Sequence, residues 1–315
     1  MFRTRRSLFS LLMTESSWFA GLAIVLCVFL WLPGVLSAQS SGKSKESKIG
    51  KEIAITFDEL PAARTFEETD REAVTYLVLN ALKHHEVKAV GFVIGNQIGD
   101  SFDLLGQWLN DGHKLGNMGY SGQDYNLVGP EQFIRDVTKG AEELDPMLSG
   151  FGQKKRYFRF PYLHYGETVK RRRAVDTYLD AKDYIVCPAT VIPEDYLYNL
   201  TLGQLGKRPD STKYNRLMND YVNSVLDELD RQSRLAHQSL GRRVRHILRL
   251  RLNRLNAVFL QDLLIGLKGE GYTFVTLDKA LQDEVYSMSE AYYGIKGLSW
   301  LEMITHSDPD LLPAE

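Results

Sequence analysis

Short apolar runs alternate along the chain with stretches whose apolar residues recur every three or four positions. Ile53 to Phe57, Ala89 to Ile94, His113 to Met118, Arg156 to Phe160, Ile185 to Ala189, Ile247 to Leu252 and Thr273 to Thr276 have strand length and strand composition. Between them, Thr69 to His85 carries Val74, Leu77, Leu79 and Leu82 at helical spacing, and Phe102 to Leu109, Gln132 to Leu148, Tyr214 to Leu240 and Ala257 to Lys268 repeat that pattern. Strands separated by helices of this length predict βα units around a mostly parallel sheet. A run of about 235 residues in such units suits one α/β barrel better than two domains.

The two ends of the chain depart from this alternation. Residues 1–38 start with Arg3, Arg5 and Arg6, pass through an uncharged apolar run from Trp18 to Leu36, and close on Leu36-Ser37-Ala38. That order predicts export, the segment being either a cleaved signal peptide or an uncleaved membrane anchor. Cys27 follows Leu26 instead of a small residue, which argues against a lipoprotein signal. Residues 39–50, QSSGKSKESKIG, have no periodicity and read as a flexible linker. The main domain is expected over 51–285, with a helical insertion at about 203–245, and a C-terminal extension over 286–315.

Composition narrows the classes. The hydrophobic share of 44% and charged share of 25% are those of a globular protein. Basic residues number 38 against 40 acidic ones, so the net charge of −2 gives no electrostatic reason to expect nucleic acid. Two cysteines, Cys27 and Cys187, exclude a disulfide framework and a Cys-rich zinc module.

In α/β barrels the working residues sit at the C-terminal ends of strands. Four such ends carry candidates: Thr56-Phe57-Asp58-Glu59, Arg159-Phe160-Pro161-Tyr162, Glu194-Asp195-Tyr196 and Arg251-Leu252-Asn253. Each is weak alone, because acidic residues after strands are commonly helix N-caps. Their order and spacing together are more specific.

On these residues the chain, from about Ile53 to Ala280, resembles the polysaccharide deacetylases of carbohydrate esterase family 4, the NodB-homology domain. TFDE at Thr56 to Glu59 stands for the family's Thr-Phe-Asp-Asp. GHKLGNMGYSG, Gly112 to Gly122, keeps the Gly-His-x-Leu-Gly-Asn flank of its His-x-x-x-His pair. RFPY, Arg159 to Tyr162, is its Arg-x-Pro-Tyr, Glu194-Asp195-Tyr196 approximates its acidic cluster, and RLRLNRLNA stands for a strand ending in Leu-His. GLSWLEMI, Gly297 to Ile304, resembles a C-terminal extension of some bacterial members.

The resemblance implies a distorted (β/α) barrel of seven strands that removes acetyl groups from an N-acetylated polysaccharide or oligosaccharide. It implies Asp58 as general base, Glu59 at a metal-ligand position, Arg159 positioning the base and Tyr162 near the oxyanion. Asp195 falls in the acidic cluster, and the implied metal is zinc. Met118 and Gly122 stand where the family has its two metal histidines, and Arg251 where it has the general-acid histidine. A catalytic zinc needs three protein ligands and the motif supplies one, Glu59. A guanidinium does not give up its proton at neutral pH. No metal is therefore expected at full occupancy, and zinc only if the family site persists in altered form.

Arg249 and Arg251 are two residues apart and project from one strand face. In the family's register that face is the barrel interior, where unpaired cations are costly. Asp58, Glu59 and Asp195 are the expected partners, a guanidinium standing in for the missing dication. His113 reads as a packing residue, His84-His85 as a helix end and His246 as facing away, while His164 is either a loop histidine or a ligand outside the motif. Lys170 to Arg173 and Arg242 to Arg245 read as solvated helix faces. Tyr162, Tyr165 and Tyr196 are aromatics near the cleft that suit stacking on sugar rings, and Asn199-Leu200-Thr201 matches a glycosylation sequon. Two function classes follow: an exported hydrolase of C–N bonds in N-acetylated glycans, or a non-catalytic relative that binds glycan or a partner in cell-envelope glycan assembly. Membrane contact is expected only through an uncleaved N-terminal segment.

Overall fold

The computed structural model describes residues 49–62, 71–206 and 210–306. The segment 1–38, read above as a signal peptide or anchor, and nearly all of 39–50, read as a linker, lie outside the described residues. Strands β1 (Glu52–Leu60), β2 (Val90–Val93), β3 (Lys114–Asn117), β4 (Arg156–Phe158), β5 (Tyr184–Val186), β6 (His246–Arg251) and β7 (Thr273–Phe274) form one sheet. Every pairing in it is parallel. The crossovers are α1 (Arg71–His84), α2 (Phe102–Asn110), α3 (Pro130–Gly150), α4 (Val169–Ala181), the pair α5 (Asp195–Gln204) and α6 (Ser211–Leu240), and α7 (Arg254–Gly269); α8 (Leu277–Ala280) and α9 (Trp300–Thr305) follow β7.

The strand order β5-β4-β3-β2-β1-β6 winds one way, with β7 set against the first residues of β1. An open doubly wound sheet reverses direction at its middle, and this one does not. Just past β5, Val191 pairs in parallel with Leu248 of β6, Val191 N–H donating to Ile247 O at 3.1 Å and Arg249 N–H to Val191 O at 3.0 Å. The two outer edges therefore meet, and the sheet curls into a distorted (β/α) barrel. The segments predicted as strands overlap β1 to β7; β1 runs longer, from Glu52 to Leu60, β5 and β6 start one residue earlier, and every strand but β1 ends short of the predicted end.

Strand alternation sorts the side chains into two layers. Ile53, Ile55 and Phe57 face out and pack with α1 and α7 in the main apolar core. Ala54, Thr56 and Asp58 face in. The interior starts with an apolar plug of Ala54, Phe92, Met118, Tyr157, Cys187 and Ile247. Above it lies a layer of buried polar side chains, Thr56, Asp58, Arg159 and Arg249. Partners in a parallel ladder point the same way, so Arg249, opposite Thr56, and Arg251, opposite Asp58, share the inner face.

Local signals account for the helices around the mouth. Asp210 caps α6 by accepting from Thr212 and Lys213 N–H, and the helix stops at Gly241, whose φ of 69° is the left-handed angle a C-cap glycine adopts. Its buried residues Leu217, Tyr221, Val225 and Leu229 recur every four positions. Asn253, right after β6, caps α7 by accepting from Asn256 N–H at 2.9 Å. Two basic stretches differ from the solvated helix faces read from sequence. Residues 242–245 are not helical: Arg242 pairs with buried Asp283 at 2.8 Å and Arg245 with Glu52 at 2.6 Å. In α4, Arg172 is mostly buried, pairs with Glu290 at 2.8 Å and lies over the Tyr165 ring, tying the C-terminal segment to the barrel.

Two histidines are built in as neutral groups. His113 Nδ1 accepts from Ala89 N–H at 3.1 Å, beside the Trp108 ring. His246 opens β6 on its outer face, Nε2 3.0 Å from Ser233 Oγ and Nδ1 3.2 Å from Thr190 Oγ1. Burial pulls both pKa values down from 6.5 to about 4. The unfolded chain then binds protons that the folded chain refuses, so this stability is intact above pH 6.5 and is lost as the pH falls toward 4. Urea midpoints are expected to drop from about pH 7 to about pH 5, and the drop should be smaller in His246→Gln. A wild-type midpoint that stays flat across that range would rule out the assignment.

Candidate functional site

Three strand ends and one helix start converge at the mouth. Asp58 is fully buried near the end of β1, where Arg249 Nε donates to Oδ2 at 2.5 Å and Arg159 Nη1 to Oδ1 at 3.3 Å. Arg159 also donates from Nη2 to Thr56 Oγ1 at 3.1 Å and stacks on the Phe92 ring at 4.4 Å. Thr56 Oγ1 in turn donates to Leu248 O at 2.8 Å, tying this layer to β6.

Glu59 follows with φ at 66°, a left-handed angle that turns its side chain off the strand. It accepts from Arg251 Nε at 3.3 Å. Burial pushes its carboxyl pKa up, with Arg251 and then Arg249 acting against that rise. Arg251 makes a stronger pair with Asp195, the first residue of α5: Nη1 and the backbone N–H each donate at 2.6 Å. Burial opposes the Arg251 charge, but Asp195 and Glu59 outweigh it and hold the guanidinium above its ordinary range. Asn256 Nδ2 also donates to Asp195 at 2.8 Å, and Tyr221 OH donates to Asn256 Oδ1. Sequence reading missed Asn256 and Tyr221, because nothing in α6 or α7 marks them before the helices are folded together.

The two positions where the family has metal histidines offer no ligand. Met118 is buried in the apolar plug, its N–H donating to Val93 O at 3.0 Å. Gly122 has φ at 64°, and a Cβ there would lie 3.2 Å from Ile94 Cδ1. Between them Asp136 accepts from Ser121 Oγ at 2.6 Å and from Gln123 Nε2 at 3.1 Å, so a carboxylate fastens this loop. Glu59, the remaining family ligand, is engaged by a cation. Among the described residues no group of three or more His, Cys, Asp or Glu comes together as a metal site. The donor set does not fit zinc.

The mouth opens into a cleft of about 700 Å³ between the β6 arginines, α5, α6 and the C-terminal segment. Tyr162 and Tyr196 border it and are about half exposed, and Tyr198 adds a third ring. Arg231 of α6 bridges Glu228 at 2.7 Å and Glu302 of α9 at 2.8 Å across the far wall. Met118, Gly122 and Glu59 do not line this cleft, which is displaced toward α6.

Several expectations need correction. Tyr165 is buried against Phe160, so it offers no face to the cleft, and Tyr198 is the further tyrosine in the lining. His164 borders the cleft but pairs with Asp124 at 2.8 Å and has no metal-binding companions among the described residues. Asn199 of the sequon sits inside α5 and accepts from Leu255 N–H at 3.0 Å, so its amide already has a structural use. Tyr162 and Leu163 both have positive φ, near 59° and 57°, conformations that cost about 1 kcal/mol or more each for residues with a Cβ.

A sequence model of the polysaccharide deacetylase family matches residues 45–178. The match takes in Asp58, the Gly112–Gly122 segment and Arg159 to Tyr162, and ends before β5. The chain is 32% identical over 111 residues to a peptidoglycan-N-acetylglucosamine deacetylase of Bacillus cereus, 35% of this chain and 36% of that protein. It is 29% identical over 138 residues to a chitin deacetylase of Arthroderma benhamiae, 42% of this chain and 35% of that protein. The matched region thus spans about a third of the length of these curated relatives. Among solved structures, a carbohydrate esterase family 4 pseudoenzyme from Bacillus anthracis superposes with a TM-score of 0.51 at 17% identity, over 74% of this chain and 66% of that one. A peptidoglycan N-acetylglucosamine deacetylase, Bc1960, superposes with a TM-score of 0.51 at 20% identity, over 73% and 88%. These superpositions are likenesses of fold.

Proposed function

We propose that this chain, a member of the polysaccharide deacetylase family, is an exported deacetylase-like protein that binds N-acetylated cell-envelope glycan without hydrolysing it by the family's metal route. The observation that carries this reading is the pairing at the mouth. Asp58 is held by Arg159 and Arg249, and Glu59 and Asp195 by Arg251. A base must have a free lone pair directed at the water it activates. Here Asp58 is fully enclosed, with each oxygen turned to a guanidinium group and not to the cleft, and the family's acid position holds an arginine that stays protonated.

The guanidinium groups supply the positive charge that a metal would supply to the same carboxylates. Burying Asp58 with two cations and satisfying its oxygens avoids the desolvation cost of a lone charge. The cleft keeps rings suited to sugars in Tyr162, Tyr196 and Tyr198. The substrate class comes from the relatives, whose names specify the N-acetylglucosamine of peptidoglycan and chitin. Export rests on the N-terminal segment read from the sequence.

A second reading, amide hydrolysis by a route outside the family motif, is favoured by retention of the Asp58–Arg159 pair and the RFPY turn. One assay separates the two: acetate released from N-acetylglucosamine oligomers, with and without added zinc, alongside elemental analysis of the purified protein. The expected result is no acetate above the buffer rate and far less than one zinc per chain. A full equivalent of tightly bound zinc, or zinc-dependent acetate release, would sink the binding reading.

A further inference from the structure

The floor of the cleft holds an arginine whose charge is answered while most of its donors are not. Arg249 is only 4% exposed, and its Nε donates to Asp58. Its Nη1 and Nη2 make no hydrogen bond among the described residues. Those nitrogens are not sealed in, as the unpartnered Nε of Arg159 is, and Arg249 forms part of the cleft lining. Arg251 adds to the same face: its Nε and Nη1 are used by Glu59 and Asp195, and its Nη2 has no acceptor. Open to the cleft and left unused by the protein, this fork of N–H groups offers a planar set of donors to a ligand oxygen.

The surrounding charge decides which oxygen. Arg249 shares Asp58 with Arg159, Arg251 pairs with Glu59 and Asp195, and Arg231 with Glu228 and Glu302. Glu194 also lines the cleft and makes no ion pair among the described residues. The lining itself balances, three carboxylates against three guanidinium groups, but with the paired groups behind it six carboxylates face four guanidinium groups, so a carboxylate or phosphate on the ligand would enter against a net like charge. An uncharged acceptor carries no such penalty. In an N-acetylated sugar the strongest uncharged acceptor is the acetamido carbonyl, with two lone pairs in the amide plane and a geometry suited to a planar fork.

Resting on the binding reading above, we propose that Arg249 is a ligand-binding residue that holds the acetamido carbonyl of an intact, uncharged N-acetyl sugar in this cleft. The ligand then sits toward α6, away from Met118 and Gly122. The guanidinium that caps Asp58 is thus also the group that reads the acetyl mark.

Calorimetric titration of the full chain with three tetrasaccharides tests this: fully acetylated chitotetraose, cellotetraose without acetamido groups, and anionic tetragalacturonate. The acetylated oligomer should bind about tenfold tighter or more than the other two. Arg249→Lys keeps a cation for Asp58 but lacks the fork, and should lose about tenfold or more with an unchanged near-UV spectrum. Arg249→Leu should lose at least as much, provided it shows a single unfolding transition. An Arg249→Lys protein that binds like wild type would overturn the role of Arg249 and leave glycan binding standing. Equal or tighter binding of cellotetraose or tetragalacturonate would overturn the choice of an uncharged acetamide. Wild-type protein that binds none of the three would overturn this inference together with the reading it rests on.

Discussion

Asp58→Asn is expected to destabilise the folded protein by about 3–5 kcal/mol, as removal of one partner from a buried ion pair generally does. The carboxylate is fully enclosed and accepts from two guanidinium groups, themselves 0% and 4% exposed as residues. Neutralising it leaves two buried cations facing an amide that also carries donors. Removing one of those cations as well should recover part of the loss. A cycle of Asp58→Asn and Arg249→Leu is expected to give a coupling energy of about 1–3 kcal/mol. A free catalytic base behaves differently: its removal ends activity and leaves stability nearly unchanged or higher. Chemical denaturation of the single and double variants reads this directly. An Asp58→Asn protein as stable as wild type would mean that the ion pairs at the mouth contribute nothing.

Rebuilding the family ligand set should fail until Arg249 is also removed. Combining Glu59→Asp, Met118→His, Gly122→His and Arg251→His restores every ligand and the acid of the family motif. In that variant Arg249 Nε still faces the Asp58 oxygen it approaches at 2.5 Å. The base stays capped, and a guanidinium remains beside the place a dication would occupy, which disfavours the metal by like-charge repulsion. Adding Arg249→Leu removes both obstacles. Zinc content is expected to rise from a small fraction to about one per chain only in the fivefold variant, with acetate release from N-acetylglucosamine oligomers alongside. Gly122→His adds a local cost of about 1–2 kcal/mol, because its φ of 64° is left-handed and the new Cβ meets Ile94. Its neighbour on the motif, Met118→His, places an imidazole in the apolar plug. A fourfold variant that takes up a full equivalent of zinc with Arg249 in place would show that this arginine is no barrier.

The chain by itself determined the strands, their parallel pairing and the shared face of Arg249 and Arg251. Short β-branched runs at regular intervals fix parallel strands, since helices of that length can only carry the chain back to start the next strand alongside. Period-two alternation put Arg249 and Arg251 on one face before any contact was known, and the Thr56 to Glu59 run put two carboxylates at a strand end. Backbone geometry repeats locally, so these features can be read locally. Tertiary structure decided which carboxylate meets which guanidinium, because Arg249 and Asp58 are 191 residues apart and meet only through the β1–β6 register. Closure through Val191, the place of Asn256 and Tyr221 behind Asp195, and the burial of Tyr165 depend likewise on how α5, α6 and α7 pack. The cleft is closed by α6 and the C-terminal segment, and neither the helical pattern of α6 nor the GLSWLEMI run shows by itself that a cleft forms there. Its position away from Met118 and Gly122 is a property of packed volume, and no run of residues encodes that on its own.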